Sequence, residues 1–348
     1  MKTACAAKKI LIILHGSIGD VTRAIPLANL VRRGFPAATL AWTIEPAAFP
    51  LVEHHPAVDE IILFDRDRWW RSLGAFLKRV RSHQFDLVLD LQRHLKSGLI
   101  GWWSGAPCRV GFHRRDAREL NWLFSNYTIP PAADGTSKLI HYLKFAEFLG
   151  IEPYPIEWNF RLLPEEKSAV ERLVGEVGGP FAALCVGGRW ESKRWFAAET
   201  AKSAAEIRKR FGLEVVLLGG KEDISFAQEV ERLAAGRIAN WAGRTSLRQA
   251  LGILSKAEVT LGPDSGLMHL SAAVGTPVVS LWGATDPIRT GPYGYDAFII
   301  QGKAACTPCY LRRCPIGRVC MRSIDVEEVL ATVERALTAK GAARGSRI

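Results

Sequence analysis

Short, almost wholly apolar runs alternate with longer amphipathic stretches along this chain, and the alternation sets its elements. Lys9 to Leu14 is apolar after its first residue, as expected of a strand buried on both faces of a parallel sheet. It leads through His15-Gly16-Ser17-Ile18-Gly19-Asp20 into a helix predicted over Val21 to Arg33. Thr39 to Ile44, Glu60 to Phe64 and Asp86 to Leu91 read as further strands, and Ala47 to Glu53, Trp70 to Ser82 and Leu95 to Trp103 as helices. Ile129 to Ser137 reads as loop and His141 to Leu149 as helix, and Glu152 to Pro164, with three prolines, reads as a crossing between domains.

A second alternation follows. Phe181 to Val186 is a predicted strand ending at Gly187-Gly188, before a helix over Ala197 to Phe211. Glu214 to Leu218 ends at Gly219-Gly220-Lys221-Glu222-Asp223, with a helix to Leu233. Ile238 to Asn240 and the Gly243 loop precede a helix at Arg248 to Ser255. Val259 to Leu261 is a strand, Gly262 to Gly266 a turn, Leu267 to Val274 a short helix, and Pro277 to Leu281 a strand. Such repetition predicts doubly wound parallel sheets. At 348 residues the chain exceeds the usual size of one core, so two α/β domains are expected.

The turn at Asp264-Ser265-Gly266 is the main candidate for chemistry. A helix N-terminus at the carboxyl edge of a parallel sheet offers free N–H groups and the positive end of its dipole, which suits a phosphate. Ser265, Gly266 and Leu267 would supply those donors, and a side chain at Gly266 would hold the backbone off a diphosphate. Asp264 either accepts hydrogen bonds from sugar hydroxyls or caps the helix, and His269 lies on the first turn. Three glycine-containing loops after successive strands converge on the same face, with Lys193 as a positive charge for the diphosphate. Near the N-terminus, Asp20 either caps its helix or acts as a general base.

Charge changes the picture by its placement. Lys and Arg outnumber Asp and Glu 46 to 35, a net +11. Arg93, Lys96, Arg109, Arg114, Arg115 and Arg118 face one acid, Asp116, and Arg66, Arg68, Arg71, Lys78, Arg79 and Arg81 are interleaved with Trp69 and Trp70. Both clusters lie in the first half, which suggests an anionic partner there, and no nucleic-acid-binding signature accompanies them. The apolar run after the basic start is too short for a signal segment, and no stretch is long enough to span a bilayer. A cytoplasmic protein, at most resting on a membrane surface, is the expectation.

Several spaced motifs occur in one order: IGD at 18 to 20, FDLVLDLQ at 85 to 92, GxxWxxKRW at 187 to 195, AGRTSL at 242 to 247, DSGLMHLSAAVGTPVVSLWG at 264 to 283, and TGPYG at 290 to 294. Together they resemble the ADP-heptose:lipopolysaccharide heptosyltransferases of glycosyltransferase family 9, over nearly the whole chain. The resemblance implies a GT-B fold, two Rossmann-like domains facing a central cleft. Residues 1–160 would bind the acceptor and 161–325 the ADP-sugar, while 326–348 would hold a last helix, predicted over Val326 to Thr338, that packs back on the first domain, and a tail.

Arg68-Trp69-Trp70-Arg71, Lys96-Ser97-Gly98, Gly111-Phe112 and Asp116-Ala117-Arg118-Glu119 are more similar to heptosyltransferase I than to II. That implies inverting transfer of heptose from ADP-L-glycero-D-manno-heptose to Kdo-lipid A, an anionic lipopolysaccharide precursor, at the cytoplasmic surface of the inner membrane. Carried over, Asp20 is the general base and Lys193 neutralises the leaving diphosphate. Asp264 holds heptose hydroxyls, Ser265, Gly266 and Leu267 bind phosphate, and His269 completes the site. Thr245 and Leu247 lie near the adenosine, and Glu222 or Asp223 near the ribose. Arg66, Arg68, Arg71, Arg93, Lys96 and Arg118 suit the acceptor. No cofactor and no divalent ion is required, since the helix dipole and Lys193 supply the positive charge. Rival readings are heptosyltransferase II, another family 9 transferase with a different sugar, and a non-catalytic module for anionic ligands.

The cysteines divide into two groups. Cys5, Cys108 and Cys185 are scattered, as expected of reduced thiols. Cys306, Cys309, Cys314 and Cys320 form C-x2-C-x4-C-x5-C, a spacing compressed for a structural zinc site, and free thiols in a loop are the expectation, with a structural metal as the alternative.

Overall fold

The computed structural model describes residues 7–345 apart from 67 and 235. The chain divides into two units, Met1–Arg161 and Leu162–Ile348.

The first unit is built on six parallel strands. In chain order its elements are β1 (Lys9–Ile13), α1 (Ile18–Gly34), β2 (Thr39–Ile44), β3 (Glu60–Leu63), α2 (Trp69–Ser82), β4 (Leu87–Asp90), α3 (Leu95–Trp103), β5 (Cys108–Gly111), β6 (Tyr127–Thr128) and α4 (Lys138–Phe148). The strand order is β3-β2-β1-β4-β5-β6. Ile10 to Ile13 are fully buried because helices cover both sheet faces, so strands of this kind carry no polar alternation. Burying each such side chain stabilises the fold by about 1.5–3 kcal/mol.

The second unit repeats the plan. It comprises α5 (Pro164–Gly175), β7 (Phe181–Cys185), α6 (Ala197–Phe211), β8 (Glu214–Leu218), α7 (Ile224–Leu233), β9 (Ala239–Asn240), α8 (Leu247–Lys256), β10 (Val259–Pro263), α9 (Gly266–Ala273), β11 (Val278–Trp282), α10 (Pro287–Thr290), β12 (Ile299–Gln301), α11 (Val319–Arg322) and α12 (Val326–Gly345). Its sheet is parallel in the order β12-β11-β10-β7-β8-β9. Each sheet therefore starts at its centre, winds outward, and returns to the other side. The winding reverses between β1 and β4 in one unit and between β7 and β10 in the other, where open α/β sheets bind ligands beyond the strand carboxyl ends.

Several expectations are corrected. A helix over Ala47 to Glu53 shrinks to a 3₁₀ turn at Phe49–Leu51, since Pro46 and Pro50 interrupt the backbone hydrogen bonds a longer helix needs. Gly262 and Pro263 belong to β10 rather than to the following turn. A Cβ on Gly262 would lie 2.4 Å from the Cys185 carbonyl oxygen, so only glycine lets the two central strands approach here. Cys108 is disulfide-bonded, not a reduced thiol, because scatter along the chain says nothing about distance in space. Cys5 lies outside the described residues. Within the second unit, α12 packs on α6, β10 and β11, with Val329, Leu330, Val333 and Ala336 buried.

Candidate active site

In the second unit the two loops at the winding reversal meet through one ion pair. Lys193 ends a 3₁₀ turn, Glu191–Lys193, on the loop after β7, and Asp264 follows β10. Lys193 Nζ donates to Asp264 Oδ2 at 2.5 Å, and Thr285 Oγ1, after β11, donates to the same oxygen at 2.7 Å. The Lys193 ammonium also lies 4.6 Å from the centroid of the Trp190 ring. His269 Nε2 stands 4.0 Å from Asp264 Oδ1. Ser265 is the N-cap of α9, so the N–H groups of Gly266 and Leu267 begin the helix and lack intrahelical acceptors. The Ser265 hydroxyl is buried without a protein partner. A cation, a carboxylate and free N–H donors thus gather where a diphosphate and an attached sugar can be held.

The Lys193 turn is strapped from outside by the cysteine-rich segment. Ser192 donates through its N–H to Arg312 O at 3.2 Å and through its hydroxyl to Leu311 O at 2.5 Å. Arg318 donates to Arg194 O at 2.9 Å and pairs with Glu191 at 3.0 Å. Cys185, Cys306, Cys309, Cys314 and Cys320 are free, and among the described residues no three His, Cys, Asp or Glu side chains gather in a set that could hold a metal ion.

Other donor-side candidates fall on the same sheet edge with different surroundings. Thr245 and Leu247 are half-buried on either side of Ser246, which caps α8 by accepting from Gln249 N at 3.1 Å. Glu222 is exposed. Asp223 is buried, accepting from Gly220 N at 2.9 Å and from Arg194 at 2.8 Å, so its carboxylate is engaged in shaping its own loop.

In the first unit Asp20 sits at the start of α1, beyond the end of β1. Its Oδ1 accepts from Arg23 at 2.8 Å and from Lys138 Nζ at 2.7 Å. Burial by itself pushes the Asp20 carboxyl up, but the Lys138 and Arg23 charges outweigh it and hold the group well below the usual carboxylate range. Lys138 was not foreseen as a site residue. It is the first residue of α4, where a cation opposes the helix dipole, and it reaches a partner 118 positions away. Replacing Lys138 by Met removes one of the two cations, so the acid limb of the kcat/KM profile is expected to move up in pH while the parent stays flat down to about pH 5. Coincident profiles would show that Lys138 does not set the Asp20 ionisation. The linked stability has the sign of a depressed carboxylate: full above the ordinary carboxylate pKa and lost only as pH falls below about 4.

Next to this loop, Asp90 at the end of β4 is buried and accepts from Ser97 Oγ at 2.9 Å, Asn121 Nδ2 at 2.7 Å and Gln92 N at 3.0 Å. Gln92 in turn accepts from the N–H of His15 at 2.9 Å, which ties the β4 loop to the β1 loop. His15 stacks on Phe64 at 4.3 Å, and burial, helped by Lys96, pushes its imidazole down to about 3, so it is neutral. Asp90→Ala is expected to cost about 2–4 kcal/mol by stranding buried donors. That is a fall in Tm of roughly 5–15 °C, against a small change for Asp90→Asn. An unchanged melting curve for the alanine variant would remove Asp90 from this role.

The predicted acceptor residues share the carboxyl edge of the first sheet but are not alike. Arg66, Arg68, Arg71, Lys96 and Arg118 are exposed. Arg93 is turned inward: its Nε donates to Asp116 O at 2.6 Å and its guanidinium lies 5.0 Å over the Phe112 ring. Arg109 likewise donates to Phe124 O at 2.8 Å and Ala106 O at 2.6 Å.

Two identically wound parallel sheets, one carrying a carboxylate and the other a cation, a carboxylate and a helix N-terminus at the reversal of the winding, make up a GT-B fold, as in the solved ADP-heptose LPS heptosyltransferase II of E. coli. The chain belongs to glycosyltransferase family 9 (heptosyltransferase), whose family model matches residues 73–320. It is 24% identical over 295 residues to the lipopolysaccharide core heptosyltransferase OpsX of Haemophilus influenzae, covering 83% of this chain and 82% of that one. Identity is 28% over 329 residues to lipopolysaccharide heptosyltransferase 1 of Pseudomonas aeruginosa (88% and 87% covered) and 26% over 312 residues to lipopolysaccharide heptosyltransferase 2 of Escherichia coli (84% and 88%). Among solved structures, a family 9 glycosyl transferase of Veillonella parvula superposes with a TM-score of 0.82 at 20% identity (95% and 97% covered). E. coli heptosyltransferase WaaC, solved with ADP, superposes at 0.72 with 20% identity (94% and 97%).

Proposed function

We propose that this glycosyltransferase moves heptose from an ADP-heptose to the Kdo-lipid A inner core of lipopolysaccharide, with inversion at the anomeric carbon. The observation that carries the donor half is the Lys193–Asp264 pair beside the start of α9. Lys193 and the Gly266 and Leu267 N–H groups would take the negative charge that develops on the leaving diphosphate, while Asp264 would hold sugar hydroxyls. Binding of ADP by a solved relative supports the same donor class. Asp20 would remove the proton from the acceptor hydroxyl as the bond from the anomeric carbon to ADP breaks. Its ionised state suits that task, and its low basicity requires Lys138 and Arg23 to slacken as the proton arrives. The exposed arginines of the first unit would meet the carboxylates and phosphates of the acceptor, at a membrane surface on the cytoplasmic side.

A second reading keeps the donor and changes the acceptor to an already heptosylated core, since type 2 relatives match about as well as type 1. The deciding experiment is ADP release from ADP-heptose with and without Kdo-lipid A, with mass spectrometry of the lipid. Acceptor-dependent release with one heptose added is expected. Donor binding without modification of Kdo-lipid A, but with modification of a heptosylated core, would establish the second reading.

A further inference from the structure

The apolar surface of the first unit is distributed against the usual rule. On α3, Leu95, Leu99, Trp102 and Trp103 recur at helical spacing and form the outward face, exposed by 37%, 43%, 55% and 45%. The inward face is made of Ser97, Gly98, Ile100 and Gly101. A surface helix ordinarily turns its polar side to water, so this one is inverted. The small inward residues let α3 lie close to its neighbours: a Cβ on Gly98 would sit 2.8 Å from Phe124 Cδ2.

The exposed patch continues on both sides of α3. Trp122 and Leu123, on the 3₁₀ turn Asn121–Phe124 that packs against α3, are 37% and 56% exposed. On the other side α2 packs against α3, with Trp103 Nε1 donating to Leu77 O at 3.2 Å, and Trp70 of α2 is 64% exposed. Arg71, Lys78 and Arg81, all exposed, lie within about 100° of Trp70 around α2, while Arg79 projects from the opposite side, and neither α2 nor α3 contains an acid.

We propose that the outward faces of α2, α3 and the 121–124 turn form a membrane-interface surface that seats the first unit on a bilayer bearing anionic headgroups. Tryptophans and leucines on an outward helix face, flanked by cations, suit the boundary between headgroups and acyl chains, where indole rings are favoured and each nearby Lys or Arg adds attraction. A second copy fits less well, because a twofold contact through this patch would bring the α2 cations together. Among the described residues no helix is long and apolar enough to cross a membrane. The proposal rests on the functional reading only for the meaning of such docking, which would place the first unit beside a lipid-anchored acceptor.

The test uses the full chain and vesicles that contain no acceptor. Flotation is measured with phosphatidylcholine vesicles and with vesicles also containing phosphatidylglycerol, for the parent, Leu99→Ser/Trp102→Ser, and Arg71→Gln/Lys78→Gln. The parent is expected to float with the anionic vesicles and to show a blue-shifted tryptophan emission. The apolar double variant should lose about tenfold or more in partitioning at every salt concentration. The charge variant should lose binding mainly at low salt. Absence of binding by the parent, or binding undiminished in the double variant, would overturn the proposal, as would a parent dimer in sedimentation that the double variant converts to monomer. ADP release with a detergent-dispersed acceptor should be unchanged in the double variant, so failure of docking and failure of the transfer reading are read separately.

Discussion

Asp20→Asn is expected to lower kcat by about 10²- to 10⁴-fold while leaving ADP affinity within about twofold of the parent. The substitution is nearly isosteric, and the amide oxygen can still accept from Lys138 and Arg23, which reach Oδ1 at 2.7 and 2.8 Å in the parent. It removes the one property that proton abstraction requires, a negative charge with a free lone pair. The proposed donor groups, Lys193, Asp264 and the start of α9, belong to the other unit, so ADP binding has no reason to follow. Single-turnover ADP-heptose consumption and calorimetric titration with ADP measure the two quantities. Parallel loss of ADP affinity would count against a base and in favour of a structural carboxylate.

Lys193→Met carries the second large effect, and it acts on two observables at once. ADP affinity is expected to fall by about 10²- to 10³-fold, since the proposed charge-assisted contact to the diphosphate disappears. Stability is expected to fall by about 3–5 kcal/mol, because Asp264 is left buried with the Thr285 hydroxyl but without its cation. The double variant Lys193→Met/Asp264→Asn separates the two, because it removes the stranded charge and should recover most of the lost Tm. ADP affinity should remain low, since the diphosphate still meets no ammonium. Recovery of ADP binding in the double variant would show that Lys193 serves only to neutralise Asp264.

The strands were legible from sequence because their burial on both faces writes itself as an unbroken apolar run. Thr39–Ile44 and Glu214–Leu218 are found at the predicted bounds. The helix over Leu95–Trp103 was equally legible in extent, but its inverted exposure was not, since spacing tells which residues share a face and not which way that face points. α1 begins earlier than its apolar periodicity suggests, at Ile18, with Ser17 as its N-cap and the Ser17 N–H donating to Asp20 Oδ2 at 3.4 Å. β5 and β6 escaped notice, because a charge and a glycine break the apolar run in Cys108-Arg109-Val110-Gly111 and β6 has only two residues.

Sequence by itself determined the parallel architecture and the family, because these rest on local periodicity and on short motifs in a set order. Tertiary structure decided which charges are at work. Arg93 and Asp223 look like free site residues along the chain, yet each is held by a carbonyl, an amide or a guanidinium of its own neighbourhood. Lys138 looks like an ordinary first-turn lysine, yet it pairs with a carboxylate far away in the chain. The physical reason is that an ionised group responds to charges within a few ångströms and to the water excluded around it. Neither quantity is written in residue order.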